Sequence, residues 1–175
     1  MKIVFGLGNP GRQYDGTYHN LGFVCIDRLA SRLGVQLNRG KFNSIFGQTK
    51  VGDEIVLLAK PLTFMNLSGD AVKAFVDYFG LSPQDVIVCC DDIDLPKGTF
   101  RFREHGSGGT HNGLKNIVFR LQSEDFKRIK IGTSQGEDEI DLKDYVLSKI
   151  DEESWTKISP AIDDAVEKIL GILDE

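Results

Sequence analysis

Apolar positions follow two different spacings along this chain. Residues 2–8 form a short apolar run ended by glycines, and Val86-Ile87-Val88-Cys89-Cys90 forms a second. Both give way to polar residues and read as buried strands of a central sheet. Between them the spacing lengthens. Cys25, Ile26, Leu29, Ala30 and Leu33 recur at helical intervals and stop at Gly34, a C-terminal cap, which predicts a helix over 20–33. Residues Ile45 to Lys60 predict a hairpin turning at Gly52-Asp53, with Val56, Leu57 and Leu58 in its second strand. Ala71, Val72, Phe75, Val76 and Phe79 predict a helix that begins near Ser68 and ends at Gly80. Further on, Thr99 to Arg103 alternates as a strand, glycines crowd the loop Gly106 to Gly109, and His111 to Leu121 fits a third helix. Lys127 to Gly132 looks like another strand, and Ile158, Ile162, Val166, Ile169 and Leu173 give the last helix its apolar face.

Strands therefore alternate with helices. That order predicts a single α/β domain over residues 1–175, with a mixed, largely parallel twisted sheet, helices on both faces and a site where loops leave the carboxyl ends of strands. A chain of 175 residues can bury one proper core, and no Pro/Gly/Ser-rich run suggests a second. Hydrophobic residues at 41% and charged residues at 27% exclude a disordered or collagen-like chain. Cys25, Cys89 and Cys90 show no C-x-x-C spacing, which argues against a disulfide framework or a cysteine zinc site. The apolar start is too short for a signal or a membrane span, so a cytoplasmic protein is expected.

Charge changes this picture. The net charge of -5 argues against a nucleic-acid partner, yet residues 97–130 carry 8 basic and 3 acidic side chains while residues 131–175 carry 4 and 13. A local basic stripe on an acidic protein can still bind phosphates, because contact energy depends on the groups at the interface. A solvated helix and hairpin would look the same.

Gly6-Leu7-Gly8-Asn9-Pro10-Gly11 satisfies G-x-G-x-x-G after a strand. Dinucleotide binding does not follow. The motif needs a helix that starts at the loop and offers its amides to the pyrophosphate, whereas here Pro10-Gly11 makes a turn and the helical pattern begins near residue 20.

Histidine is scarce, with only His19, His105 and His111. His19 lies where a polar loop after the first strand becomes a helix, within reach of the strand ends, and is the strongest candidate for a base. Asp91 and Asp92 directly follow the strand Val86 to Cys90, so a carboxylate at the same edge could hold the His19 ring and leave its other nitrogen to deprotonate water. The alternatives are a capping histidine and an ordinary acidic turn before Pro96. Asn9, Asn66 and Asn112 lie at comparable loop positions. Asparagine offers donor and acceptor without charge, which suits a peptide carbonyl, a water or an oxyanion as well as it suits a cap. No serine sits in a nucleophile elbow and no histidine pair has metal spacing, so neither metal nor cofactor is expected.

Four sets of residues, in order, carry a more specific signal. Gly6 to Gly11 with Tyr14, Thr17, His19-Asn20 and Gly22-Phe23 is the first, followed by Phe64-Met65-Asn66 with Ser68-Gly69, Asp91-Asp92 with Asp94 to Gly98, and His111 to Lys115. Together, over roughly residues 2–150, they resemble the bacterial peptidyl-tRNA hydrolase family. The resemblance implies a metal-free esterase that frees tRNA from a stalled peptide. It makes His19 the base, Asp91 its orienting group, and Asn9, Asn66 and Asn112 the groups that hold the peptide backbone or the attacking water. Tyr14, Phe64, Met65, His111 and the loop to Gly109 would border the peptide, and Lys97, Arg101, Arg103, Lys115, Arg128 and Lys130 would grip tRNA phosphates. The partner is then peptidyl-tRNA, with no membrane, and the enzyme a monomer.

This chain departs from the family at Tyr18, where arginine is frequent, Cys90, where histidine is common, Thr110, where glycine usually precedes the histidine, and Lys130, a frequent arginine. Gly132 to Glu137 lacks the usual proline-containing turn. Two other readings stay open: a non-catalytic RNA-binding scaffold, as in chloroplast relatives that assist intron splicing, and a hydrolase of small esters or amides on the same fold.

Overall fold

The computed structural model describes residues 1–134 and 141–175. Seven strands form one sheet: β1 (Lys2–Gly6), β2 (Arg39–Lys41), β3 (Ser44–Val51), β4 (Glu54–Pro61), β5 (Val86–Pro96), β6 (Phe100–Arg103) and β7 (Lys127–Ser134). The helices are α1 (Leu21–Leu33), α2 (Ser68–Phe79), α3 (Asn112–Leu121), α4 (Leu142–Val146) and α5 (Glu152–Leu173). Strand order is β2-β3-β4-β1-β5-β7-β6. The central strands β4, β1, β5 and β7 run parallel to one another, while β2, β3 and β6 pair antiparallel at the two edges. This is the mixed sheet that the strand and helix alternation predicts.

The apolar runs at β1 and β5 are unbroken because both faces of the central sheet are covered. Val4, Ile87, Cys89, Ile129 and Ile131 pack with α1 and α5, and Ile3, Phe5, Val86, Val88 and Cys90 pack with α2 and α3. Successive residues of β5 thus enter opposite cores, as the two-residue period of a strand requires. Among the described residues no helix is long and apolar enough to cross a membrane.

Close backbone approach sets the site in register. A Cβ on Gly22 would stand 2.5 Å from the Cys89 carbonyl oxygen and from the Leu7 nitrogen and oxygen, and one on Gly6 would stand 2.2 Å from the Gly22 oxygen. With hydrogen there instead, the N-terminus of α1 rests directly on β1 and β5. The residues just before it, His19 and Asn20, are thereby carried to the carboxyl ends of those strands.

Several sequence expectations need correction. β5 does not stop at Cys90 but runs on to Pro96, so Asp91 and Asp92 are strand residues paired with Ile131 and Gly132 rather than a following turn. At that point a Cβ on Gly132 would lie 2.1 Å from the Pro96 oxygen, so glycine lets the two chains meet. The short β2 and α4 lack a predicted counterpart, and β7 extends past Gly132 to Ser134. Of the segment 132–137, residues beyond 134 lie outside the described part.

Arg128 is also reassigned. It is 1% exposed. Its guanidinium donates to the carbonyls of Ser107 (2.9 Å), Glu124 (2.9 Å) and Phe126 (3.2 Å), and stacks 4.1 Å from the Phe126 ring centroid. Those bonds tie the glycine-rich loop to β7 and leave nothing to offer a phosphate. Arg128→Ala is therefore expected to destabilise the fold, by on the order of 3 kcal/mol because buried carbonyls lose their donors and a cavity opens. That corresponds to a Tm lower by roughly 6–12 °C. Thermal unfolding checks it, and an unchanged Tm would contradict the structural role.

Candidate active site

A cleft of about 650 Å³ opens where β1, β5 and the loops entering α2 and α3 converge, and its lining includes Asn9, Tyr14, His19, Phe64, Asn66 and Asp91. Asp91 lines it and is 2% exposed. The Nδ1–H of His19 donates to both its oxygens, at 2.9 Å to Oδ2 and 3.0 Å to Oδ1. The Nε2–H of His111 donates to Oδ1 from the other side, at 3.0 Å. Neither tautomer is arbitrary. His111 is the N-cap of α3, and its Nδ1 accepts the Leu114 N–H, which leaves the ring proton on Nε2 and aims it at Asp91. The three side chains are close enough to share a cation, with one donor atom of each within 4.8 Å of the others. With the His111 lone pair turned toward Leu114, however, coordination through Nε2 would break the cap.

The electrostatics follow from this arrangement. Burial alone would raise the Asp91 pKa, but the two imidazoles beside it outweigh that and hold it well below the usual carboxylate range. For His19, burial would lower the pKa, and the Asp91 charge and hydrogen bond overcome it, so the value is raised. The charged carboxylate fixes His19 with Nδ1 protonated and leaves Nε2 as a free lone pair on a side chain that lines the cleft. That is the form of imidazole that can take a proton from water.

A second chain of hydrogen bonds sets Asn9. Asn20 clamps its backbone, Oδ1 accepting the Asn9 N–H at 2.8 Å and Nδ2 donating to the Asn9 carbonyl at 3.0 Å. The Asn9 Oδ1 in turn accepts the Met65 N–H at 2.7 Å. With its oxygen occupied, Asn9 has its amide nitrogen to offer the cleft. Phe64 adopts φ 65 and ψ 155, a region that glycine favours, and holds a half-exposed ring edge-on to Tyr14 at 6.4 Å. Asn66 and Asn112 stand exposed at the cleft rim, on the turn before α2 and in the first residue of α3.

The cleft thus gathers His19, Asp91, Asn9, Asn66, Asn112, Tyr14, Phe64, Met65, His111 and Gly109, all named by the sequence. It also takes in Lys130, whose Nζ is 4.0 Å from Asp92. Arg101 and Arg103 are exposed on the edge strand β6, and Lys115 is exposed on α3. Lys97 is turned elsewhere: it donates to the Ser154 hydroxyl at 2.7 Å and stands 5.2 Å over the Tyr18 ring, so it is not a free phosphate ligand. Two groups escaped the sequence reading. The Asn20 clamp had its signal in the His19-Asn20 pair, and the apolar wall of Leu142, Val146 and Leu147 had none in a helix of five residues.

Known proteins resemble this chain over its whole length. The peptidyl-tRNA hydrolase family model matches residues 3–175. A peptidyl-tRNA hydrolase of Finegoldia magna is 45% identical over 175 residues, covering 100% of this chain and 92% of its own. One from Geobacillus kaustophilus is 48% identical over 166 residues, covering 95% of this chain and 87% of its own. The crystal structure of peptidyl-tRNA hydrolase from Acinetobacter baumannii superposes with a TM-score of 0.92 at 32% identity, covering 99% of this chain and 88% of that one. With sequence likeness running the length of the chain and the fold preserved, this protein belongs to the peptidyl-tRNA hydrolase family.

Proposed function

We propose that the protein hydrolyses the ester joining a peptide to the 3′ end of tRNA, with His19 as general base and no covalent enzyme intermediate. The observation that carries this reading is the buried Asp91 carboxylate on His19 Nδ1, beside asparagine donors in one cleft. His19 Nε2 takes a proton from water as the water oxygen bonds to the ester carbonyl carbon. The oxyanion that forms meets amide N–H donors, with Asn9 presenting its nitrogen because Met65 occupies its oxygen. When the C–O bond to the ribose breaks, the His19 imidazolium returns its proton to the departing oxygen. Products are a peptide with a free carboxylate and a tRNA with a free hydroxyl. Asp91 stays ionised throughout and stabilises the imidazolium. All these groups come from one chain, which supports action as a monomer.

The intact base and carboxylate favour the enzyme over a non-catalytic scaffold. Deacylation of N-acetylated aminoacyl-tRNA, with unblocked aminoacyl-tRNA left intact, is the expected result. Release from neither substrate would overturn the reading.

Exposed Arg101, Arg103 and Lys115 supply the tRNA surface in this reading. Contacts to phosphates hold any tRNA in register and carry little sequence information. Arg103→Ala is expected to raise KM for full-length substrate with little change in kcat, and to flatten the slope of log K against log salt by about one unit. An unchanged salt slope would remove Arg103 from that surface.

A further inference from the structure

Tyr18 precedes His19 on the same 3-10 turn, yet its ring is buried in the core that α1 and α5 share, at 2% exposure. There it stacks on Tyr145, with ring centroids 4.6 Å apart and planes 21° from parallel. The Lys97 ammonium caps both rings, 5.2 Å from Tyr18 and 6.0 Å from Tyr145. The Tyr145 hydroxyl donates to the Thr133 carbonyl on β7 at 2.5 Å. Main-chain bonds reinforce the join: the Tyr18 N–H donates to Ser148, the Ile150 N–H donates to Gly16, and Thr17 bridges Lys149.

Tyr145 is the buried residue of α4. A helix of five residues cannot hold itself together, since nucleation alone opposes so short a segment. Its place depends on tertiary anchors, and this stack joins its one buried side chain to the core. On its other sides α4 gives Leu142, Lys143 and Val146 to the cleft, with Leu147 following. The turn that carries the base and the wall that faces the substrate are therefore fastened at one point.

We propose that Tyr145, stacked on Tyr18 and bonded to Thr133, is a positioning residue that holds α4 as the apolar wall for the peptide part of the substrate. Proton transfer is less dependent on this stack, because the His19 ring is also held by its hydrogen bonds to Asp91. The wall's ligand is a peptide by the functional reading above, on which this inference rests.

The test compares wild type, Tyr145→Phe and Tyr145→Ala, each assayed below its unfolding transition. Tyr145→Ala loses stack and hydrogen bond, and its KM for N-acetylated aminoacyl-tRNA is expected to rise about tenfold. Its kcat and the acid limb of its pH profile should stay near wild type. Tyr145→Phe keeps the ring and loses the hydroxyl with its bond to Thr133, so its KM should fall between the two and carries the test if the alanine variant does not fold. Two further readouts do not need turnover: affinity for a non-hydrolysable 3′-(N-acetylaminoacylamido)-3′-deoxyadenosine, expected to weaken in parallel with KM, and hydrogen exchange of residues 142–147, expected to quicken. If the wild type fails to hydrolyse peptidyl-tRNA the functional reading is wrong, and analogue affinity still decides the role of the wall. Unchanged analogue affinity despite faster exchange would overturn the proposal, as would a fall in kcat with a displaced acid limb.

Discussion

His19→Ala is expected to lower kcat on N-acetylated aminoacyl-tRNA by about 10²–10⁴-fold, the usual contribution of a positioned general base. The side chain is held for that single task. Its Nδ1 is spent on Asp91, its ring is mostly buried, and its free nitrogen belongs to the cleft. Alanine leaves water without an acceptor for its proton and the leaving ribose oxygen without a donor, so both halves of the reaction slow. The proposed phosphate contacts, Arg101, Arg103 and Lys115, are exposed side chains on β6 and α3 that do not include this ring, so binding should persist. Single-turnover rates alongside tRNA affinity separate the two. Near-normal turnover in the variant would remove His19 from the chemistry.

Asp91→Asn is expected to reduce kcat less than His19→Ala does, though within the same range of about 10²–10⁴-fold, because it misdirects the base instead of deleting it. Asp91 Oδ1 accepts from both histidines and Oδ2 from His19 again. An amide oxygen at the first position can keep His111, but an NH2 at the second faces Nδ1 at hydrogen-bond distance. His19 answers by accepting there and placing its proton on Nε2, the tautomer that cannot take a proton from water. The substitution also removes the negative charge that raises the His19 pKa, so the acid limb should move to lower pH even as the rate falls. Stability carries the same signature. Because the folded Asp91 pKa is depressed, its contribution is present above about pH 4, the unfolded carboxylate value, and is lost as pH falls below it. Asp91→Asn should therefore lower Tm at neutral pH and narrow its gap to wild type in acid. A variant with wild-type rate and an unmoved limb would contradict this role.

Much of this was legible from periodicity. The continuous runs in β1 and β5 announced strands covered on both faces, and Gly34 and Gly80 ended α1 and α2 in left-handed conformation as capping residues should. His19 and Asp91 could be paired because one lay where the loop after the first predicted strand becomes a helix, within reach of the strand ends, and the other directly followed the strand Val86 to Cys90. What sequence obscured was the length of β5. Two adjacent aspartates look like a turn, and only the histidines on Asp91 and the backbone pairing with Ile131 and Gly132 explain why the strand continues. Arg128 was misread for a related reason. Its partners are main-chain carbonyls, and these leave no mark in the sequence by which a buried arginine on a strand differs from an exposed one. The wall at α4 escaped because five residues carry no period, and its anchor comes from Tyr18, far away in the chain.

The central claim is that neutral His19, held by ionised Asp91, activates water for ester hydrolysis. The pH dependence of kcat/KM on N-acetylated aminoacyl-tRNA tests it most directly, since that profile reports the free enzyme's essential base. With the His19 pKa raised, the rate should fall as pH drops through a midpoint above the ordinary histidine value of about 6.5. A profile flat across that range, or the same acid limb surviving in His19→Ala, would contradict it.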